Sequence, residues 1–409
     1  MAAQNAGPGD PAFVPVLRLA VCSDAHIRAA DDLYCGRLRE QMRAVYAIAA
    51  TDRAYDRVDA FLIAGDSTDR GEREQYAAFW EAVCAEKRSD TEIRAVVAKN
   101  HDNWSGGKNG NAYYREQTGL PTDFHAVIRG FHVIGISTCE IEGEYYAPEQ
   151  RDWLTKQLRE AAADDGEKPI FVMHHEHVKD TVYGSTDTDG WGIAYFKDIF
   201  VQYPQIIHLS GHSHYPINDP RSVYQKEFTA VGVGALHYAE LTVDGQNKRR
   251  PVGVRDINEG WIIEVDAQYR VRLRGFDYLT GTQIASYTLE HLADRSCRTL
   301  TPEQQEARSG APQFPAGALP AVQIDGERVY VTIPRAESTD GFPVVLYRAQ
   351  LLDADGAMIE AAYAVPPYWR AHALPCFTLT LPFSPRASSV RALAENAYGM
   401  ASAPLQINI

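Results

Sequence analysis

The sequence predicts an α/β domain followed by a small all-β sandwich, and three observations carry that reading. Through the first two-thirds, short apolar runs alternate with stretches of helical spacing. A polar segment rich in Pro, Gly and Ala follows. Beyond it only short strand-like runs occur. A chain of 409 residues divides most naturally into two such units.

In order, the runs VLRLAVC (16–22), DAFLIAG (59–65), IRAVVA (93–98), FHVIGIS (131–137), KPIFVM (168–173) and QIIHLS (205–210) read as strands buried on both faces. Between them, Leu33 to Ala50, Glu72 to Lys87 and Pro148 to Ala162 show helical spacing. In the third stretch Trp153, Leu154 and Leu158 share a face, and Pro148 suits the first turn. GWIIEVD (260–266) and YRVRLRGFD (269–277) read as a closing hairpin. These features assign 1–13 to a flexible N-terminus, 14–290 to a first domain, 291–316 to a linker and 317–409 to the β-sandwich. Within the last unit, SVRALAENAYGMASAP resembles the late strands of a fibronectin type III domain, and Asp355-Gly356 marks a turn.

Charge narrows the partners. A net charge of −14 repels nucleic-acid backbones and anionic lipid at long range, so neither is an expected partner. A small anionic substrate stays compatible, because bound cations reverse the field locally. The six cysteines show no CxxC spacing and read as small buried hydrophobes of a reduced compartment. The first residues lack a basic-then-apolar leader, and no run approaches the about 18 apolar residues of a membrane span. A cytoplasmic location is the expectation.

Chemistry-bearing residues gather just past the apolar runs, where the strands of a mainly parallel sheet end on a common edge. Asp24 and His26 follow the first run and, one residue apart on extended chain, project to the same side. Asp66 follows the second, Asn100 and His101 the third, His174 the fifth, and His212 and His214 the sixth. Any one of these alone is better read as a turn residue or a satisfied polar group. Together, carboxylate, imidazole and amide oxygen suit divalent Mn, Fe or Zn, and one carboxylate can bridge two cations.

The motifs Asp24-Ala-His26, Gly65-Asp66-Ser-Thr-Asp-Arg-Gly71, Asn100-His101-Asp102, His174-His175 and Gly211-His212-Ser-His214 resemble, in order and spacing, the calcineurin-like metallophosphoesterase superfamily. The resemblance implies a β-sandwich core flanked by helices, an αββα arrangement, and two divalent metal ions. It implies that Asp24, His26 and His214 hold one ion, Asn100, His174 and His212 the other, and that Asp66 bridges them. His101 is then the general acid, oriented by Asp102, and a metal-bound hydroxide is the nucleophile. Departures from the family pattern are Lys99 in place of a Gly, Asp69 where purple acid phosphatases carry a metal-binding Tyr, and Glu176 in place of a Pro. Arg70, His175 and Lys99 are weaker substrate-binding candidates. Trp104, Tyr113, Tyr114, Tyr183 and Trp191 are loop aromatics placed to wall a pocket or simply to pack.

The expected activity is hydrolysis of a small phosphomonoester or phosphodiester. The alternatives are a non-catalytic scaffold of the same fold, which the full ligand set disfavours, and a protein phosphatase or nuclease, for which the further arginines or a basic stripe are not in evidence. The β-domain carries none of these residues. It is expected to be dispensable for chemistry, serving as a cover, a pocket wall or a homo-oligomer contact.

Overall fold

The computed structural model describes residues 12–104, 109–141, 144–186, 191–243, 246–249, 253–370 and 374–409. Most of the expected flexible N-terminus lies outside them. Two six-stranded sheets form the first unit. One runs in the order Thr282–Leu289, Val271–Asp277, Glu259–Asp266, Pro15–Cys22, Ala60–Ile63, Glu92–Ala95. The other runs Val223–Gln225, Thr229–Gly232, Ile206–Ser210, Ile170–Met173, Phe131–Gly135, Phe124–Ile128.

Period-2 alternation of the strands explains the layering. Leu19 and Val21 of the first strand join Leu62, Phe171, Met173, Ile207 and Leu209 in a core between the sheets. Their neighbours Ala20 and Cys22 face the other way, against Leu38, Met42 and Val45 of helix Leu33–Ala49 and Phe79 and Val83 of helix Arg73–Glu86. On the far side, Val172 and Ile134 pack on Leu154 and Leu158 of helix Pro148–Asp164. Strands sandwiched in this way are apolar at most positions, which is why they stand out as nearly continuous runs. The αββα arrangement is thus present.

Several features were not foreseen. Helix Gly110–Thr118 is too polar to show a stripe, and strands Phe124–Ile128, Thr229–Gly232 and Thr282–Leu289 complete sheets at or beside their edges. The segment read as a linker carries helix Pro302–Arg308 and sinks Leu292 and Leu300 into the inter-sheet core, so it is partly structural. Of the six cysteines, all free thiols, Cys22 and Cys35 are buried as expected while Cys84 and Cys376 are exposed.

Residues 321–408 build a second β-unit. A three-stranded sheet (Ala321–Asp325, Arg328–Pro334, Cys376–Pro382) faces a four-stranded one (Met358–Ala364, Val344–Leu352, Ser389–Asn396, Leu405–Asn408). Alternate residues Val329, Val331 and Ile333 meet Tyr347, Ala349 and Leu351 in its core. Among the described residues no helix is long and apolar enough to cross a membrane.

Candidate metal centre

Strands Pro15–Cys22, Ala60–Ile63 and Glu92–Ala95 run parallel, as do Phe131–Gly135, Ile170–Met173, Ile206–Ser210 and Thr229–Gly232. Their carboxyl ends therefore deliver the candidate loops to one edge of the sandwich. The first two loops zip together: Asp24 N–H donates to the Gly65 carbonyl, His26 N–H to that of Asp66 and Ile27 N–H to that of Ser67.

The ligand loops bend sharply. Asp24, His26, Asp66, His212 and His214 all have positive φ, between 47° and 71°, a region non-glycine residues rarely enter. Such backbone costs of order 1–3 kcal/mol per residue and clusters at functional sites. Glycine supplies the remaining clearance. A Cβ on Gly211 would lie 2.0 Å from Ser23 Oγ and 2.3 Å from Asp24 Oδ2.

Two groups of donor atoms result. Asp24, His26 and His214 form the first: His214 Nε2 lies 3.0 Å from Asp24 Oδ1 and 3.1 Å from His26 Nε2. Asp66, His175 and His212 form the second: His175 Nε2 lies 3.3 Å from Asp66 Oδ2 and 3.2 Å from His212 Nδ1. Asp66 sits between them, its Oδ2 also 3.9 Å from His26 Nε2. All six side chains are buried or nearly so.

The outer atoms of these groups are tied down. His214 Nδ1 meets the Tyr238 carbonyl at 3.0 Å and His175 Nδ1 the Ala64 carbonyl at 2.8 Å, which leaves each Nε2 free to face inward. Asp24 Oδ2 accepts from His212 N–H and Asp66 Oδ1 from His101 N–H. Their inward oxygens, Asp24 Oδ1 and Asp66 Oδ2, accept no hydrogen bond among the described residues. Burial would raise both carboxyls, but the adjacent His214 and His175 hold Asp24, and His175 and His26 hold Asp66, below the usual carboxylate range. Buried carboxylate oxygens and imidazole lone pairs converging at this spacing suit a pair of divalent cations.

Several expectations need correction. His174 is not at the centre; its ring lies 4.2 Å from that of His208 and packs among Tyr146, Phe196 and Phe200, where burial pushes its pKa down to about 3. Adjacent residues on extended chain face opposite sides, and it is His175 that turns inward. His175, expected at most as a substrate contact, is therefore among the donors. Asn100 heads the short turn His101–Asn103, one residue from the amide that Asp66 accepts.

Asp102 does not orient His101. Its carboxylate accepts from Thr68 N–H, Thr68 Oγ1 and Ala98 N–H and braces two loops. Burial and nearby Asp66 push its pKa up to about 6. His101 instead meets the carbonyl of Asp69, with its ring edge-on to His26 at 4.2 Å and a ring nitrogen grouped with a His26 nitrogen and an Asp66 carboxylate oxygen.

Lys99 points to the carbonyl of Glu144 and the ring of Tyr145, not to the site. Arg70 is 64% exposed and, with Arg28, pairs with the Asp69 carboxylate. Arg28, Asp69, Arg70, Glu72 and Gln75 line a cleft of about 480 Å³ that adjoins His101 through Asp69.

Of the aromatics, Trp104 lies 5.1 Å from the His101 ring and Trp191 stands edge-on to His212 at 4.8 Å. Tyr113 lies under Arg73, Tyr114 is buried in the helix layer, and Tyr183 packs against Arg221 and the tilted ring of Tyr215. Glu176, which stands in place of a Pro, is buried and accepts from the Tyr146 hydroxyl.

Sequence reading passed over His237 and Tyr238. Rings of Tyr238 and His214 are 4.2 Å apart, and His237 lies 4.8 Å from His26. Their one signal was position, just past an unrecognised parallel strand.

Residues 17–216 match the calcineurin-like phosphoesterase family. Over 165 residues the chain is 28% identical to a probable cyclic nucleotide phosphodiesterase of Rhodococcus erythropolis, covering 38% of this chain and 51% of that protein. Over 201 residues it is 27% identical to a probable glycerophosphodiester phosphodiesterase of Arcobacter nitrofigilis, covering 47% and 70%. The chain thus spans about half the length of the first relative. A purple acid phosphatase structure from yellow lupin (Lupinus luteus) superposes with a TM-score of 0.46 at 13% identity, covering 72% of this chain and 57% of that one. Through residues 17–216 the chain belongs to the calcineurin-like metallophosphoesterase superfamily.

Proposed function

We propose that the protein is a dinuclear-metal phosphoester hydrolase acting on a small-molecule phosphodiester. One observation carries this reading: the inward oxygens of Asp24 and Asp66, which accept no hydrogen bond among the described residues, face four imidazoles in two adjoining groups. Asp24, His26 and His214 would hold one divalent ion. His175 and His212, with Asn100 as a neighbouring amide donor, would hold the second, and Asp66 would lie between both. Bound ions of this kind supply Lewis-acid activation of water and of the phosphoryl oxygens.

The chain's own residues account for the rest. With Nδ1–H donated to the Asp69 carbonyl, His101 presents Nε2 toward the donor groups, where it can hold a proton for the departing ester oxygen. The Asp69 carbonyl fixes the tautomer and the angle of that ring. Trp104, beside the His101 ring, and the cleft that adjoins Asp69 would seat the organic part of the ester. Diesters are favoured over monoesters because both curated relatives carry phosphodiesterase names. We read the last ninety residues as fibronectin type III-like, supported by the three- and four-stranded sheets, and the location as cytoplasmic.

The test is hydrolysis of bis(p-nitrophenyl) phosphate and p-nitrophenyl phosphate by chelator-stripped protein reloaded with Mn, Fe, Co or Zn. Turnover that appears only on reloading, and is faster on the diester, is expected. Full turnover by the stripped protein would overturn the assignment.

A further inference from the structure

The His214 side of the centre is built against residues 236–241, and that segment is itself gripped from the C-terminal β-unit. On its inner side, Leu236 N–H donates to the Ser23 carbonyl, the Tyr238 carbonyl meets His214 Nδ1, and Glu240 N–H donates to the His214 carbonyl at 3.1 Å. On its outer side, Ala239 and Leu241 join Ile257 in a hydrophobic cluster with Trp369 and Leu346 of the β-unit. Trp369 is completely buried there. Its indole N–H has no hydrogen-bond partner among the described residues, so apolar packing is what anchors it.

The flanks of Trp369 are tied to the first unit as well. The Tyr368 carbonyl accepts from Asn218, four residues beyond His214, at 2.5 Å. Arg370 pairs with Asp256 at 3.5 Å and with Asp277 at 3.8 Å. One short loop of the second unit thus holds both the loop that carries His214 and the segment whose carbonyl sets the His214 tautomer.

We propose that Trp369 is a positioning residue, by which the C-terminal β-unit sets the half of the metal centre formed by Asp24, His26 and His214. This rests on reading the centre as a two-metal site. Outer partners of a metal-bound histidine fix its ring orientation, and losing them typically weakens metal binding roughly 10–100-fold. Trp369 reaches that level of control through Ala239 and the Tyr238 carbonyl, without touching a donor atom. On this proposal the β-unit does more than cover the first domain, although it supplies no ligand residue.

The experiment titrates Co2+ into the chelator-stripped full chain, following uptake by calorimetry and the visible absorption of the bound ion. Trp369→Ala should weaken one of two metal equivalents roughly 10–100-fold and alter its absorption while sparing the other. Trp369→Phe should restore both. Leu351→Ala, a cavity in the β-unit core and outside the cluster that holds Ala239 and Leu241, should leave both equivalents as in the parent. Asn218→Ala and Trp369→Leu, milder changes at the same contact, should weaken the same equivalent if Trp369→Ala does not melt cooperatively. Parent-like uptake in the folded variants, or equal weakening by Leu351→Ala, would overturn the proposal. A parent chain that takes up no metal would overturn the two-metal reading itself.

Discussion

The imidazole of His101 is held by the backbone carbonyl of Asp69, whose oxygen lies 2.9 Å from Nδ1. The carboxylate of the same residue faces away, to Arg28. Backbone and side chain of Asp69 therefore have separable duties. His101→Ala should keep both metals and lose roughly 10²–10⁴-fold in rate, less for esters with good leaving groups. Asp69→Asn, which keeps the carbonyl, should retain most activity on an activated ester. Measuring both against a series of aryl leaving groups checks the assignment; a flat dependence for His101→Ala would refute a proton-donating role.

The two neighbouring histidines make a sharp pair. His175→Ala should lower bound metal and abolish turnover, because His175 Nε2 stands 3.3 Å from Asp66 Oδ2. His174→Phe places an aromatic ring among Phe196 and Phe200 and should keep the metal content. Metal analysis of the two variants decides, and the opposite result would restore His174 as the donor.

Asp66→Ala should be the most damaging single change at the centre. It removes the carboxylate lying between the two donor groups and the acceptor for His101 N–H at 3.1 Å. Both metal equivalents should weaken together, read by calorimetry, and activity should fall below detection.

Gly211→Ala tests the packing of the loops without altering any donor atom. Its new methyl would meet Ser23 Oγ and Asp24 Oδ2 well inside contact distance. Overpacking of this kind costs about 1–3 kcal/mol, and here it also displaces Asp24. A lower melting temperature together with weakened metal binding is expected; a variant with unchanged melting and metal uptake would show that the loop yields freely.

Much of this molecule is legible in its sequence because burial and chemistry are both concentrated. Strands covered on both faces are largely apolar, and acid and imidazole side chains at their ends then stand against a plain background. What escaped was of two kinds. The choice between His174 and His175 is a matter of which way one residue faces as the strand ends, and a one-residue shift exchanges the faces. The parts played by the Asp69 and Tyr238 carbonyls and by Trp369 are relations between distant segments or belong to the backbone, which every residue shares. Asp102 misled for a related reason: adjacency in sequence to His101 suggested a partner, while its carboxylate closes the loop onto Thr68 and Ala98.

The five ligand-loop residues at positive φ carry a consequence for anyone seeking a hardier version of this protein. Glycine at Asp24, His26, Asp66, His212 or His214 would relax the chain locally while deleting a donor. A selection for heat tolerance in metal-free medium would reward those replacements and empty the centre unnoticed. Selection in the presence of the ion, scored on bound metal, would keep the contorted loops intact.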